Sequence, residues 1–101
     1  MPRITKVYPH ALGTDVAAQR IKAAIEREKK EKSTYATLQK EHWVNDHEMQ
    51  YAMKVYGYPI DGHLLISDKE VTVELNLPVI AMLAKGMIED QLSQEIGGLL
   101  S

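Results

Sequence analysis

Between residues 39 and 76 the chain switches between apolar and polar side chains almost one by one. Met49, Tyr51, Met53 and Val55 alternate with Glu48, Gln50, Ala52 and Lys54. Ile60, Gly62, Leu64 and Ile66 alternate with Asp61, His63 and Ser67, and Leu65 breaks the polar side. Val71, Val73 and Leu75 alternate with Thr72, Glu74 and Asn76. A period of two is that of a strand with one face buried, so these runs predict three half-buried strands. Tyr56-Gly57-Tyr58-Pro59 and Ser67-Asp68-Lys69 supply turn residues between them. Turns this short require antiparallel neighbours. Pairing Val55 with Ile60 also pairs Met53 with Gly62 and Tyr51 with Leu64. Pairing Ile66 with Val71 also pairs Leu64 with Val73 and Gly62 with Leu75. Directly paired residues share a face, so all three apolar rows fall on one side of the sheet.

The flanks read differently. Arg3 to Tyr8 mixes β-branched and aromatic residues and runs into Pro9, which predicts a short edge strand. Gly13-Thr14-Asp15 opens a helix: the Thr14 hydroxyl suits a cap, and Asp15 suits the positive end of the helix dipole. Val16, Ala17, Ile21, Ala24 and Ile25 recur at helical spacing. The all-charged run Glu26 to Lys32 offers Glu26–Lys30 and Glu28–Lys32 pairs in the favourable order, each worth about 0.2–0.5 kcal/mol. A mixed-sign run of this kind reads as a solvated helix end rather than a charged docking face, with the helix fraying or ending between 31 and 38. From 78 to 96 the helical period returns in Ile80, Leu83, Ala84, Met87, Ile88, Gln91, Leu92 and Ile96. Pro78 suits its first turn, Asn76 is a nearby cap, and Gly97-Gly98 end it. The predicted order is β-α-β-β-β-β-α: an α+β domain, an antiparallel sheet of four to five strands with two helices packed on one face.

Trp43, the only tryptophan, precedes the turn signal Asn45-Asp46. A two-residue turn would pair Val44 with His47 and His42 with Met49, turning Trp43 outward. A bulge would set Trp43 beside Met49 and Tyr51 and turn Val44 out. Burying Trp stabilises more than burying Val, so the bulged register is expected.

A chain of 101 residues suits one domain over 1–101. Net charge is −2, which supplies no basic field for nucleic acid. Cysteine is absent, which excludes a disulfide framework, a thiolate zinc site and a Cys nucleophile. No apolar run reaches the ~20 residues of a membrane span, and none reads as a signal peptide. A cytoplasmic protein is expected. His10, His42, His47 and His63 show no metal-ligand spacing, and two ligands without a third make no site. Ser67, Ser93 and Ser101 sit in no nucleophile elbow. No glycine pattern marks a nucleotide or other cofactor. Nothing supports catalysis, and the chain is expected to be no enzyme.

The pattern His10-x-Leu12-Gly13, an Ala-rich helix, Trp43-x-x-Asp46, Met49-x-Tyr51, Gly62, Val71 to Leu77, and Leu83-x-Lys85-Gly86-x-Ile88-Glu89 resembles the polyhydroxyalkanoic acid system family. These are small bacterial proteins, also described as polyhydroxyalkanoate granule-region proteins. The resemblance runs from Ile4 to about Leu99, and its weight lies in order and spacing together. His10, Trp43, Asp46, Gly62 and Gly86 carry over as pattern positions, and the family has no established catalytic residues. This chain departs in its longer first helix region, EREKKEKSTYATLQK, and in Asn45, where the family has Gly before the hairpin Asp. Asn tolerates a left-handed backbone, so a bulged turn is compatible. The resemblance implies an accessory protein of polyester storage that binds a granule surface or a granule protein. Candidate binding residues are Trp43, His10, Met87 and Leu99, the last free beyond the glycines with Leu100, and the apolar final helix also suits a homodimer contact. Two alternatives stay open. One is a module for an acyl or lipid-like ligand between helix and sheet, suggested by Met49, Met53 and Met87 on an inner face. The other is a purely structural dimer.

Overall fold

The computed structural model describes residues 2–31 and 36–101. Five strands form one antiparallel sheet: β1 (Arg3–Pro9), β2 (Ala36–Asn45), β3 (Glu48–Val55), β4 (Tyr58–Ile66) and β5 (Glu70–Asn76). Their order in space is β1-β5-β4-β3-β2. Helix α1 (Thr14–Glu31) lies between the two edge strands in the chain, and α2 (Lys85–Leu100) follows a short 3-10 segment, Val79–Ala84. This is the expected α+β order, with β1 at an edge against β5. The expected end of the charged run, including the pair partner Lys32, lies outside the described residues.

The apolar rows do share a face. Met49 pairs with Leu64, which pairs with Val73; Tyr51 pairs with Gly62, which pairs with Leu75. The β4–β5 register is the one the alternation predicts. The β3–β4 register differs by two residues: Val55 pairs with Tyr58, and Met53 with Ile60. The reason is the turn. Tyr56 and Gly57 have φ of 52° and 82°, the positive pair of a two-residue hairpin turn that follows the twist of its strands. The four-residue loop expected from Tyr56 to Pro59 is therefore only two residues long. A shift of two keeps every side chain on its face, so the layer arrangement is unaffected.

Strand β2 changes its inward set part-way along. Ala36 and Leu38 pair with Val55 and Met53, whereas Glu41 and Trp43 pair with Tyr51 and Met49. The register shifts between Leu38 and Lys40 and again between Trp43 and Asn45. Gln39 and Val44 are the extra residues of two bulges. Val44 is consequently exposed, and Trp43 packs against the core. Asn45 keeps a negative φ, since Tyr56 is the one non-glycine of the described residues with positive φ. Asn45 holds the turn with its side chain, whose Oδ1 accepts the His47 N–H at 2.8 Å, an Asx turn.

The core consists of the inward sheet rows, Ala17, Ala18 and Ile21 of α1, and Ile88, Ile96 and Leu100 of α2. Ala18, rather than Val16, completes the α1 stripe, and Val16 is exposed. The last helix departs more from its pattern. It starts at Lys85 and continues through Gly97-Gly98 to Leu100. Its end is held by Arg20, whose guanidinium donates to the carbonyls of Leu99 (3.2 Å) and Ser101 (2.8 Å). A cation on the terminal carbonyls offsets the weak helix propensity of two glycines. Asn76 caps no helix: its side chain accepts from Arg3 at 3.2 Å and donates to Asp61 at 2.8 Å, linking three strands.

Gly62 is where the sheet tolerates no side chain. A Cβ there would lie 1.9 Å from the Glu74 carbonyl oxygen and 2.6 Å from the Tyr51 hydroxyl. Tyr51, its pairing partner, reaches past the gap and donates to that carbonyl at 2.7 Å. Burial first, and then the Asp61 and Glu74 carboxylates, push the Tyr51 phenol well above its usual range. It stays protonated and works as a donor.

Candidate functional site

Two features stand apart from ordinary core packing. The first is the segment between β5 and α2. Leu77 and Ala81 are fully buried, and the Leu77 N–H is held by the Pro2 carbonyl at 2.9 Å. Their neighbours face solvent: Val79 is 74% exposed, Ile80 65%, Leu83 91% and Met87 54%. Val79, Ile80 and Leu83 lie in the 3-10 segment, whose three-residue turns do not continue the stripe of α2. Ile80 and Leu83, expected in the core stripe, are therefore surface residues, and Met87, also expected there, is exposed on the first turn of α2. The chain after Pro78 is apolar on every side, Val-Ile-Ala-Met-Leu-Ala, so one buried face cannot absorb it. That excess was the available sign.

The second feature is a half-open apolar cleft of about 210 Å³ between the two helices and the sheet. Ile21, Ala24 and Ile25 form the α1 wall, Ile88, Leu92, Ile96 and Leu99 the α2 wall, and Met49, Tyr51, Met53 and Leu64 part of the floor. Two of the lining positions, Ala24 on α1 and Ala36 on β2, carry only a methyl group, which leaves room that larger side chains would fill. Glu28, Gln91 and Glu95, with the Tyr51 hydroxyl, are the polar groups of the lining. Burial raises the Glu28 carboxyl above its ordinary value, Glu95 and Glu31 raise it further, and Arg27 works against them.

The candidate residues do not converge. Trp43 is half-buried: its Nε1 donates to Glu41 at 2.6 Å, and Lys22 Nζ of α1 lies 4.7 Å from its ring centre. Glu41 shares the inward face and also takes the Lys29 ammonium. Burial would lift the Glu41 carboxyl, but the bonds from Lys29 and Trp43 outweigh it and hold it below its ordinary value. His10 clamps a turn. Its Nδ1 accepts the Leu12 N–H at 3.2 Å, so Nε2 carries the proton and donates to the Ser67 carbonyl at 3.0 Å. Its own N–H bonds the Lys69 carbonyl at 2.8 Å. Met87 sits on the exposed apolar segment. Leu99 lines the cleft and Leu100 is buried, so neither is free. Met49 and Met53 face the cleft as a methionine-rich inner face would, but Met87 does not join them.

His63 and Glu48 pair on the other face of the sheet at 2.7 Å. Among the described residues, no three metal-ligating side chains come together. No helix among them is long and apolar enough to cross a membrane.

The sequence profile of the family described as "putative polyhydroxyalkanoic acid system protein" matches residues 4–100. No curated protein and no solved structure matches the chain.

Proposed function

The chain belongs to the polyhydroxyalkanoic acid system family, and on that premise we propose that it is a non-enzymatic accessory protein of polyester storage that adheres to the granule surface. The observation that carries this reading is the exposed apolar segment. Val79, Ile80, Leu83 and Met87 fall within nine consecutive positions and flank the buried anchors Leu77 and Ala81. Isolated exposed apolar residues need no explanation, but a local group of them marks a contact surface. A storage polyester presents an apolar, uncharged surface, and the match is one of hydrophobicity and not of charge. Covering a Leu or Ile side chain fully is worth roughly 1.5–3 kcal/mol. A flat surface covers about half of each, so the four residues together supply about 3–6 kcal/mol toward adhesion. Methionine tolerates an irregular surface because its side chain is flexible and polarizable.

The test is co-sedimentation of the purified protein with polyester granules, alone and as the Ile80→Ser, Leu83→Ser double variant. The protein is expected to pellet with granules, and the variant to stay largely in solution with an unchanged circular dichroism spectrum. Wild-type protein that remains wholly in the supernatant, and retains no granule protein, sinks the proposal.

A further inference from the structure

We infer that the cleft between α1 and α2 is a binding site for an uncharged molecule with a single apolar chain of medium length, its polar end at Gln91. Well-packed interiors hold few voids larger than a water molecule. This one measures about 210 Å³, more than the ~150 Å³ of an apolar cavity that takes up benzene. Scaling from benzene's six carbons, about eight fit. Among the described residues the interior walls offer one hydroxyl, that of Tyr51, and its proton is already committed to the Glu74 carbonyl, which leaves little to hold water. Beyond that hydroxyl, the polar side chains of the lining are Glu28, Gln91 and Glu95. Gln91 offers both a donor and an acceptor to a hydroxyl or ester. Two carboxylates in the same lining disfavour an ionised fatty acid. Burial first, and then the Glu95 carboxylate, already raise the Glu28 carboxyl. The site thus selects an alcohol or ester over a carboxylate of equal length.

The cleft shares no residue with the exposed group Val79, Ile80, Leu83 and Met87. The inference goes beyond the granule reading, and either can fail alone.

Methionine methyl groups provide the readout. With 13C-methyl methionine, octan-1-ol is titrated into the full-length protein and followed by NMR. Met49 and Met53 line the cleft, whereas Met82 and Met87 are exposed outside it. Saturable shifts of Met49 and Met53, with Met82 and Met87 unmoved, are expected. Octanoate at pH 7 should bind about tenfold more weakly, and Glu28→Gln with Glu95→Gln should close that gap. Ala24→Phe, which fills the α1 wall, should abolish the shifts; Ala24→Leu is the milder variant if the first does not fold. Shifts confined to Met82 and Met87, unsaturable shifts, or none overturn the inference. Octanoate binding as tightly as octan-1-ol overturns it too. So do Met53 shifts that follow protein concentration without any alcohol, because they place a second copy in the cleft.

Discussion

Replacing Gly62 by Ala sets two rules against each other. Gly62 has no positive φ, so its backbone is open to any residue. On chain entropy alone, Gly→Ala at such a site stabilises by about 0.4–1 kcal/mol. The structure predicts the opposite sign. The added Cβ would lie 1.9 Å from the Glu74 carbonyl oxygen, where real contacts essentially never fall below 3.0 Å. Strand β5 must therefore retreat by 3.0 − 1.9 = 1.1 Å relative to β4. The Tyr51 hydroxyl, 2.6 Å from the same Cβ, is displaced as well. Overpacking costs typically 1–3 kcal/mol. A buried hydroxyl and carbonyl left without each other cost about 1–3 kcal/mol more. After the entropy gain, the net loss is about 2–5 kcal/mol, a large part of the ~5–15 kcal/mol available to a domain. Urea denaturation followed by Trp43 fluorescence and by far-ultraviolet circular dichroism measures it. Tyr51→Phe is the companion, expected to lose about 1 kcal/mol. The double variant should fall short of additivity, because the clash with the hydroxyl is gone but the clash with the carbonyl is not. A Gly62→Ala protein with a midpoint at or above wild type would refute the steric account.

Glu41→Gln should destabilise by about 1 kcal/mol, since the Lys29 partner is half-exposed and screened by solvent. The Trp43 emission should change with it, because the indole N–H loses a charged acceptor. The Glu41 carboxyl lies below its unfolded value. Its contribution is therefore present above the unfolded value, 4.5, and is lost as pH falls through the folded one, so acid unfolding curves of wild type and variant should converge below that range. Glu28 has the reverse sign. Its raised carboxyl makes ionisation mildly unfavourable to the fold, so Glu28→Gln should raise the melting temperature slightly at pH 7 and lose that advantage as pH falls through the folded value.

Trp43 and Leu83 show what could and could not be read ahead of the structure. Trp43 faces inward because a bulge at Val44 lets the larger side chain take the buried place, and comparing two burial energies was enough to choose that register. Leu83 is at helical spacing from Met87 and Ile80, yet all three are exposed. Periodicity reports that residues share a face only if the chain between them is one continuous helix, and here a 3-10 segment ends at Ala84 and the α-helix begins at Lys85. Gly62 was legible as a strand glycine on the apolar face, but the need for it comes from Glu74 and Tyr51 on neighbouring strands. Gly86 shares the family pattern, yet a Cβ added there would meet nothing within 4 Å, so no neighbour demands a glycine.

What the sequence by itself determined is the class of the five strands and the two α-helices and the face each residue of β3, β4 and β5 takes, because alternation and helical spacing are local properties of a chain. It also determined the β4–β5 register, where the hydrophobic rows and a short turn agree. Only the tertiary structure decided the length of the Tyr56-Gly57 turn, through a pair of backbone angles that the residue types permit but do not impose. It alone decided that Gly97-Gly98 stay helical, through an arginine 79 residues before Leu99 in the chain. The cleft and the exposed segment belong to the same category. The cleft arises from how far two helices can approach one sheet, a distance set by side chains remote from one another in sequence, and the exposed segment from where a 3-10 segment gives way to α2.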